Sequence, residues 1–224
     1  MWTCGPFCSA LCDCAMEQPI IRAILMFGPP GCGKGTQGKA VGNMPGYRHL
    51  ACGDVFRSLD VNSDLGKTFL QYSSRGLLVP DELTVELWRQ HVATMQRARQ
   101  FDPARQYLVL DGIPRNLAQA RLMQADVEPV CILWLDVPDR EALVQRMRRR
   151  ALQENRLDDA KEEVIRDRFS VFDRETRPVL ELYPARLVHQ IDGDRAAIAV
   201  LAEIAAILSA IPAPERATTA TRGS

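Results

Sequence analysis

Two textures of hydrophobic residues alternate along this chain. Short, nearly unbroken apolar runs, "IIRAILMF" (20–27), "YLVLD" (107–111), "VCILWLDV" (130–137) and "RLVHQI" (186–191), read as strands buried on both faces. Between them apolar residues recur at helical spacing. That spacing predicts helices over 54–75 in two pieces, 80–99, 116–125, 138–150, 159–182 and 194–210, with Pro80 and Pro138 in first turns. Strands alternating with helices make a parallel sheet covered on both sides, so the expected class is α/β in three layers. The segment "AAIAVLAEIAAIL" (196–208) carries Glu203 and reads as one more amphipathic helix. No window reaches the ~18 uninterrupted apolar residues of a membrane span.

Composition narrows the function classes. The 224 residues and 46% hydrophobic content suit one domain with a substantial core. Lys+Arg and Asp+Glu balance at 28 each, so no global field recruits nucleic acid or an anionic membrane, and any anion site must be local. Cys4, Cys8, Cys12 and Cys14 crowd the start, and the total of seven cysteines is odd, which argues against a disulfide scaffold. The leader has no Lys or Arg to open a signal peptide and lacks the paired CxxC knuckles of a zinc site. The expectation is a cytoplasmic protein: a disordered Cys-rich extension over 1–19, with Met16 as an alternative start, a domain over 20–211, and a disordered tail "PAPERATTATRGS" over 212–224.

The chemistry begins in "GPPGCGKGTQ" (28–37), directly behind the first strand. Gly28, Gly31, Gly33 and Gly35 let the backbone approach a phosphate closely, and the N–H groups of the loop and the following helix start form an anion cradle around Lys34. Most loops with this spacing carry Ser or Thr after the lysine, where this chain has Gly35. Asp111 ends an apolar strand, so its carboxylate emerges at the same sheet edge and is placed to hold Mg²⁺ through water.

With "DGIPRNLAQA" (111–120) following, the chain resembles the adenylate kinase family of nucleoside monophosphate kinases in its short-lid form. Gly-Lys-Gly-Thr is that family's own loop, which accounts for Gly35 and Thr36. Further blocks are "HLACGDVFR" (49–57), with Cys52 where the family has threonine, "GLLVPDEL" (76–83), and "QRMRRRALQENRLDDAKEEVIRDRF" (145–169), whose Arg146, Arg150, Arg156 and Arg168 match family positions. The resemblance implies a P-loop fold with a central five-stranded parallel sheet, a helical monophosphate-binding lobe near 51–80 and a short lid near 148–158. It implies ATP plus AMP giving two ADP, with Mg²⁺, by a monomer that binds neither nucleic acid nor membrane.

The same resemblance implies an ATP site of Gly31, Cys32, Gly33, Lys34, Gly35, Thr36, Arg146 and Arg195. The implied AMP site is Cys52, Arg57, Leu78, Val79, Gly112, Arg115, Gln119, Arg156 and Arg168. Lys34, Arg115, Arg146, Arg156 and Arg168 would carry catalysis, which for phosphoryl transfer is positioning and charge stabilisation. Gln119 stands where adenylate kinases have the glutamine that meets adenine. Asn116, directly after Arg115, is reminiscent of UMP/CMP kinases, so a pyrimidine acceptor stays open, as does a nucleotide-binding interaction module without turnover. Arg146 and Arg150 share a helix face, while Arg148 and Arg149 are expected in solvent. Trp88, Trp134 and Phe169 have core-like spacing, and His49, His91 and His189 are expected to be structural or exposed.

Overall fold

A computed structural model describes residues 20–60, 62–75, 77–154 and 161–213. The expectations for 1–19, for the tail beyond 213 and for the centre of the lid, 155–160, lie outside these residues. Five strands, β1 (Ile21–Phe27), β2 (Tyr47–Ala51), β3 (Tyr107–Asp111), β4 (Val127–Asp136) and β5 (Val188–Asp192), form one parallel sheet in the order β2-β3-β1-β4-β5. The helices are α1 (Lys34–Gly42), α2 (Cys52–Arg57), α3 (Asp64–Ser73), α4 (Asp81–Arg97), α5 (Leu117–Leu122), α6 (Arg140–Glu154), α7 (Glu162–Val171) and α8 (Ala197–Ser209).

The unbroken apolar runs are explained by burial on both faces. Along β1, Ala23, Leu25 and Phe27 face a layer formed by α2, α4 and α5, whereas Ile24 and Met26 face α1, α6, α7 and α8. Leu108 and Leu110 of β3 and Ile132 of β4 join the first layer; Val109, Leu133 and Leu135 join the second. Each such aliphatic side chain contributes about 1.5–3 kcal/mol when fully buried. Trp88, Trp134 and Phe169 are all buried, as their spacing suggested.

Several elements depart from the sequence reading. β2, "YRHLA", has no apolar run because it is an edge strand with only Leu50 buried. The single helix expected over 159–182 is α7, a π-turn at Phe172–Thr176 and a 3₁₀ segment at Arg177–Leu182. Pro178 has no N–H for an α-helical bond and its ring crowds the preceding turn, so the chain widens before it. Pro80 and Pro138 stand just before their helices rather than in the first turns: Pro80 is the N-cap of α4, and the Asp139 carboxylate caps α6 by accepting from the Ala142 N–H at 3.0 Å. The fold also reaches one residue past 211, since the Tyr107 hydroxyl donates to the Pro212 carbonyl at 2.5 Å.

Candidate active site

The carboxyl ends of β1 and β3 lie side by side, with Met26 opposite Asp111. The helices that follow them leave to opposite faces: Val41 of α1 joins one core layer, Ala120 of α5 the other. A crevice opens where neighbouring strands diverge in this way. Here it is a cavity of about 450 Å³, lined by the loop 28–36, the end of β3, α6 and α7.

The loop is shaped by what its glycines must pass. A Cβ on Gly28 would stand 2.4 Å from the Leu135 carbonyl oxygen, so no larger residue fits under β4. Gly33, the N-cap of α1, has φ 104°, a left-handed conformation natural to glycine, and supplies no capping side chain. The first N–H groups of α1 are left for an anion, and the positive end of the helix dipole adds to their pull. Lys34 Nζ donates to the carbonyls of Gly28 (2.7 Å) and Pro29 (3.0 Å), which folds the side chain back along the loop.

Cations gather round this cradle. Lys34, Lys39, Arg57, Arg115, Arg146, Arg150 and Arg168 face the cavity against two carboxylates, Asp54 and Asp111. In a chain of zero net charge that is a strong local positive field, fitted to a polyanion such as a chain of phosphates. Several of the arginines are braced. Arg57 pairs with Asp54 at 2.6 Å, and Arg146 reaches Asp194 (2.7 Å) and the Gly193 carbonyl (3.2 Å). Arg115 is held most closely: its Nε donates to the Gly112 carbonyl at 2.9 Å, its backbone N–H to Gln119 Oε1 at 2.8 Å, and its carbonyl accepts from the Thr176 hydroxyl at 2.6 Å.

A smaller space of about 60 Å³ adjoins it, lined by Cys52, Phe56, Arg57, Leu78, Val79, Thr84, Gly112, Arg115, Gln119 and Arg168 among others. It mixes apolar walls with a buried amide, a surface suited to a flat heterocycle. Burial pushes the Cys52 thiol up to about 11, the nearby Arg115 opposing only in part, so the group at the threonine position is a neutral thiol.

Most of the residues singled out in the sequence therefore converge. Gly31, Gly33, Lys34, Gly35, Thr36, Arg57, Leu78, Asp111, Gly112, Arg115, Arg146 and Arg168 line the larger cavity; Cys52, Val79 and Gln119 line the smaller one. Two do not arrive. Cys32 is buried and lines neither cavity, its sulfur lying 3.6 Å from Lys34 Nζ. Arg195 is drawn away from both, bonded to Glu203 of α8 and to the Asp192 carbonyl. Arg156 lies outside the described residues. Asn116 lines neither cavity: its Oδ1 caps α5 by accepting from the Gln119 N–H at 2.8 Å.

Other residues that line the larger cavity were not singled out in the sequence. Asp54 stands three residues before Arg57, a spacing that signals a helical ion pair. Thr176 carries no such signal, because its position depends on the π-turn ahead of Pro178. His49, expected to be structural or exposed, packs against α1 with Nε2 3.9 Å from Asp111 Oδ2, and burial lowers its pKa. Among the described residues no group of three or more His, Cys, Asp or Glu is arranged to hold a metal.

A family model described as "Adenylate kinase" matches residues 26–188. An adenylate kinase of Cyanothece sp. is 37% identical over 188 residues, covering 81% of this chain and 92% of that one. One of Thermobifida fusca is 38% identical over 175 residues, covering 75% and 88%, and one of Thermus thermophilus 35% identical over 179 residues, covering 77% and 89%.

Proposed function

The chain belongs to the adenylate kinase family, and from that premise we propose that it transfers the terminal phosphoryl group of ATP to AMP, reversibly, giving two ADP. The observation that carries this reading is the joining of two spaces at Arg115, one cationic and sized for phosphates, the other lined by a thiol, apolar side chains and the Gln119 amide. ATP takes the loop 28–36, with Lys34 and Arg146 on its phosphates. AMP places its base beside Cys52, Val79 and Gln119 and its phosphate between Arg57, Arg115 and Arg168. Arg156 is proposed to join them from the lid.

The chain's own groups bind, orient and neutralise. Charge builds on the transferring group and its two flanking oxygens, and preorganised N–H donors and guanidinium forks stabilise it without reorganising. No strong general base is needed. Closure of the lobe near 51–80 and the lid near 148–158 excludes water, so the phosphoryl group passes to AMP and not to solvent.

Asp111 suits Mg²⁺ in one respect: of the two carboxylates on the cationic cavity Asp54 is paired with Arg57, which leaves Asp111 for a cation, and a hard ion that keeps several waters needs only one or two carboxylates besides substrate phosphates. Bound there with ATP, Mg²⁺ would neutralise phosphate charge. Cytoplasmic location is part of the same reading, supported by the unpaired thiols of Cys32, Cys52 and Cys131. Among the described residues no helix is long and apolar enough to cross a membrane.

Of the two residues that kept a pyrimidine acceptor open, Asn116 is engaged in capping α5 and lines neither cavity, whereas Cys52, in place of the family's threonine, does line the smaller one. A coupled assay of ADP formation from ATP with AMP, CMP, UMP and GMP tests the reading. AMP is expected to be the best acceptor by a wide margin; equal use of UMP or CMP would transfer the protein to the pyrimidine kinases, and no turnover at all would leave a nucleotide-binding module.

A further inference from the structure

The Gln119 amide is one of the few buried polar side chains among the described residues, and both of its ends are engaged. Its Oε1 accepts from the Arg115 N–H at 2.8 Å, and its Nε2 donates to Asp81 Oδ1 at 2.9 Å. A backbone N–H only donates and a carboxylate only accepts. Turning the amide over would set NH₂ against N–H and oxygen against oxygen, so the orientation is determined from both sides. The same carboxylate oxygen accepts from Asn116 Nδ2 at 2.7 Å, and Asn116 is itself oriented by its cap on the Gln119 N–H. Asp81, in the first turn of α4, is thus the hub of a small network that ties α4 to α5 and aligns one amide.

We propose that Asp81 sets the acceptor-base preference by fixing which way Gln119 presents its amide; this inference rests on the adenylate kinase reading above. After these two bonds Gln119 keeps one Nε2 hydrogen and one Oε1 lone pair, and it lines the smaller cavity. A bidentate partner for that pair must offer an acceptor beside a donor, with the acceptor facing the NH₂ group. The ring nitrogen and amino group of adenine do so, and those of cytosine show the same pattern on a smaller ring. In the pose that pairs adenine, guanine and uracil present a ring N–H and a carbonyl in the opposite order, which a reversed amide would match. In that pose the oxo bases are refused, because a mismatch leaves buried polar groups opposed, while cytosine matches the pattern but fills less of the space than adenine, so AMP stays the better acceptor. Asp81 is a positioning residue that acts through Gln119.

The test compares kcat/KM for AMP and UMP, with ATP as donor, in wild type, Asp81→Ala, Gln119→Ala and the double variant. In Asp81→Ala the amide is held by the Arg115 N–H alone, and the AMP-to-UMP ratio is expected to fall about tenfold or more, with KM for ATP unchanged. Asp81→Asn keeps the side chain's shape but can face Gln119 with either edge, so it is expected to move the ratio the same way even if the alanine variant folds poorly. In the Gln119→Ala background, adding Asp81→Ala should shift the ratio no further. Folded single variants that keep the wild-type ratio would overturn the role of Asp81, as would an equal additional shift in the double variant. A wild type that prefers UMP, or phosphorylates neither nucleotide, would instead overturn the reading on which the role depends.

Discussion

Gly35 faces the Asp111 carboxylate so closely that a Cβ on it would lie 3.6 Å from Oδ2. Ordinary contact at that distance means Gly35→Ala should fold, and alanine in the first turn of α1 should raise stability by a fraction of the ~1 kcal/mol that separates the two residues in helices. The methyl group would, however, narrow the space beside the carboxylate proposed to hold hydrated Mg²⁺. A raised Tm together with a several-fold higher KM for MgATP is expected; an unchanged KM would count against Asp111 as the metal's anchor.

Lys34→Met and Arg115→Ala should each slow turnover by about 10²–10³-fold, the typical loss on removing one preorganised donor to developing charge. Neither side chain belongs to the apolar core, so far-UV circular dichroism and Tm should stay near those of the wild type. A folded Lys34→Met protein with near-normal turnover would contradict the phosphate role of the loop.

His49 separates two neighbouring glycines of α1 by the kind of obstacle each meets. A Cβ on Gly38 would come within 2.4 Å of His49 Nε2, whereas one on Gly42 would meet His49 Cβ at 2.4 Å and its backbone nitrogen at 2.7 Å. Both alanine substitutions should destabilise by about 1–3 kcal/mol, the usual cost of overpacking. In a His49→Ala background Gly38→Ala should become neutral or stabilising, while Gly42→Ala should still destabilise because the backbone cannot retreat. Urea titration of the single and double variants measures both couplings.

Burial raises the thiols of Cys52 and Cys131 to about 11 and about 12. A group titrating near 11 is ionised in only about one molecule in 10³ at pH 8, and the thiolate is the reactive form. Iodoacetamide at pH 8 should therefore leave both residues unlabelled in the native protein and modify them in urea, as read by peptide mass spectrometry. Rapid native labelling of Cys52 would mean that the lobe opens far more readily than its burial indicates.

The sequence and the structure agree where a single stretch of chain suffices. The glycine loop, the lysine and the strand-ending Asp111 are local patterns, and the sheet edge then brings them together. β2 escaped notice because "YRHLA" spends its polar residues on an exposed sheet edge, and periodicity records burial rather than backbone pairing. The Gln119 amide shows a different limit. Its place four residues after Arg115 was readable, but its orientation depends on Asp81 in another helix, and long-range hydrogen bonds leave no trace in spacing. Arg195 shows the converse, since a positive charge in a family-like position is turned aside by Glu203.

Arg115 occupies the middle of a mechanical linkage. Its backbone N–H is tied to the Gln119 amide and its carbonyl to the Thr176 hydroxyl, while its guanidinium reaches the larger cavity. The peptide that carries the proposed phosphate clamp is thus hung on the side chain proposed to read the base. A base that forces Gln119 out of line would pull on that peptide and misaim the guanidinium. Fidelity in such an arrangement is enforced at the moment of transfer as well as on entry, so poor acceptors should be betrayed by a depressed kcat and not merely by a raised KM.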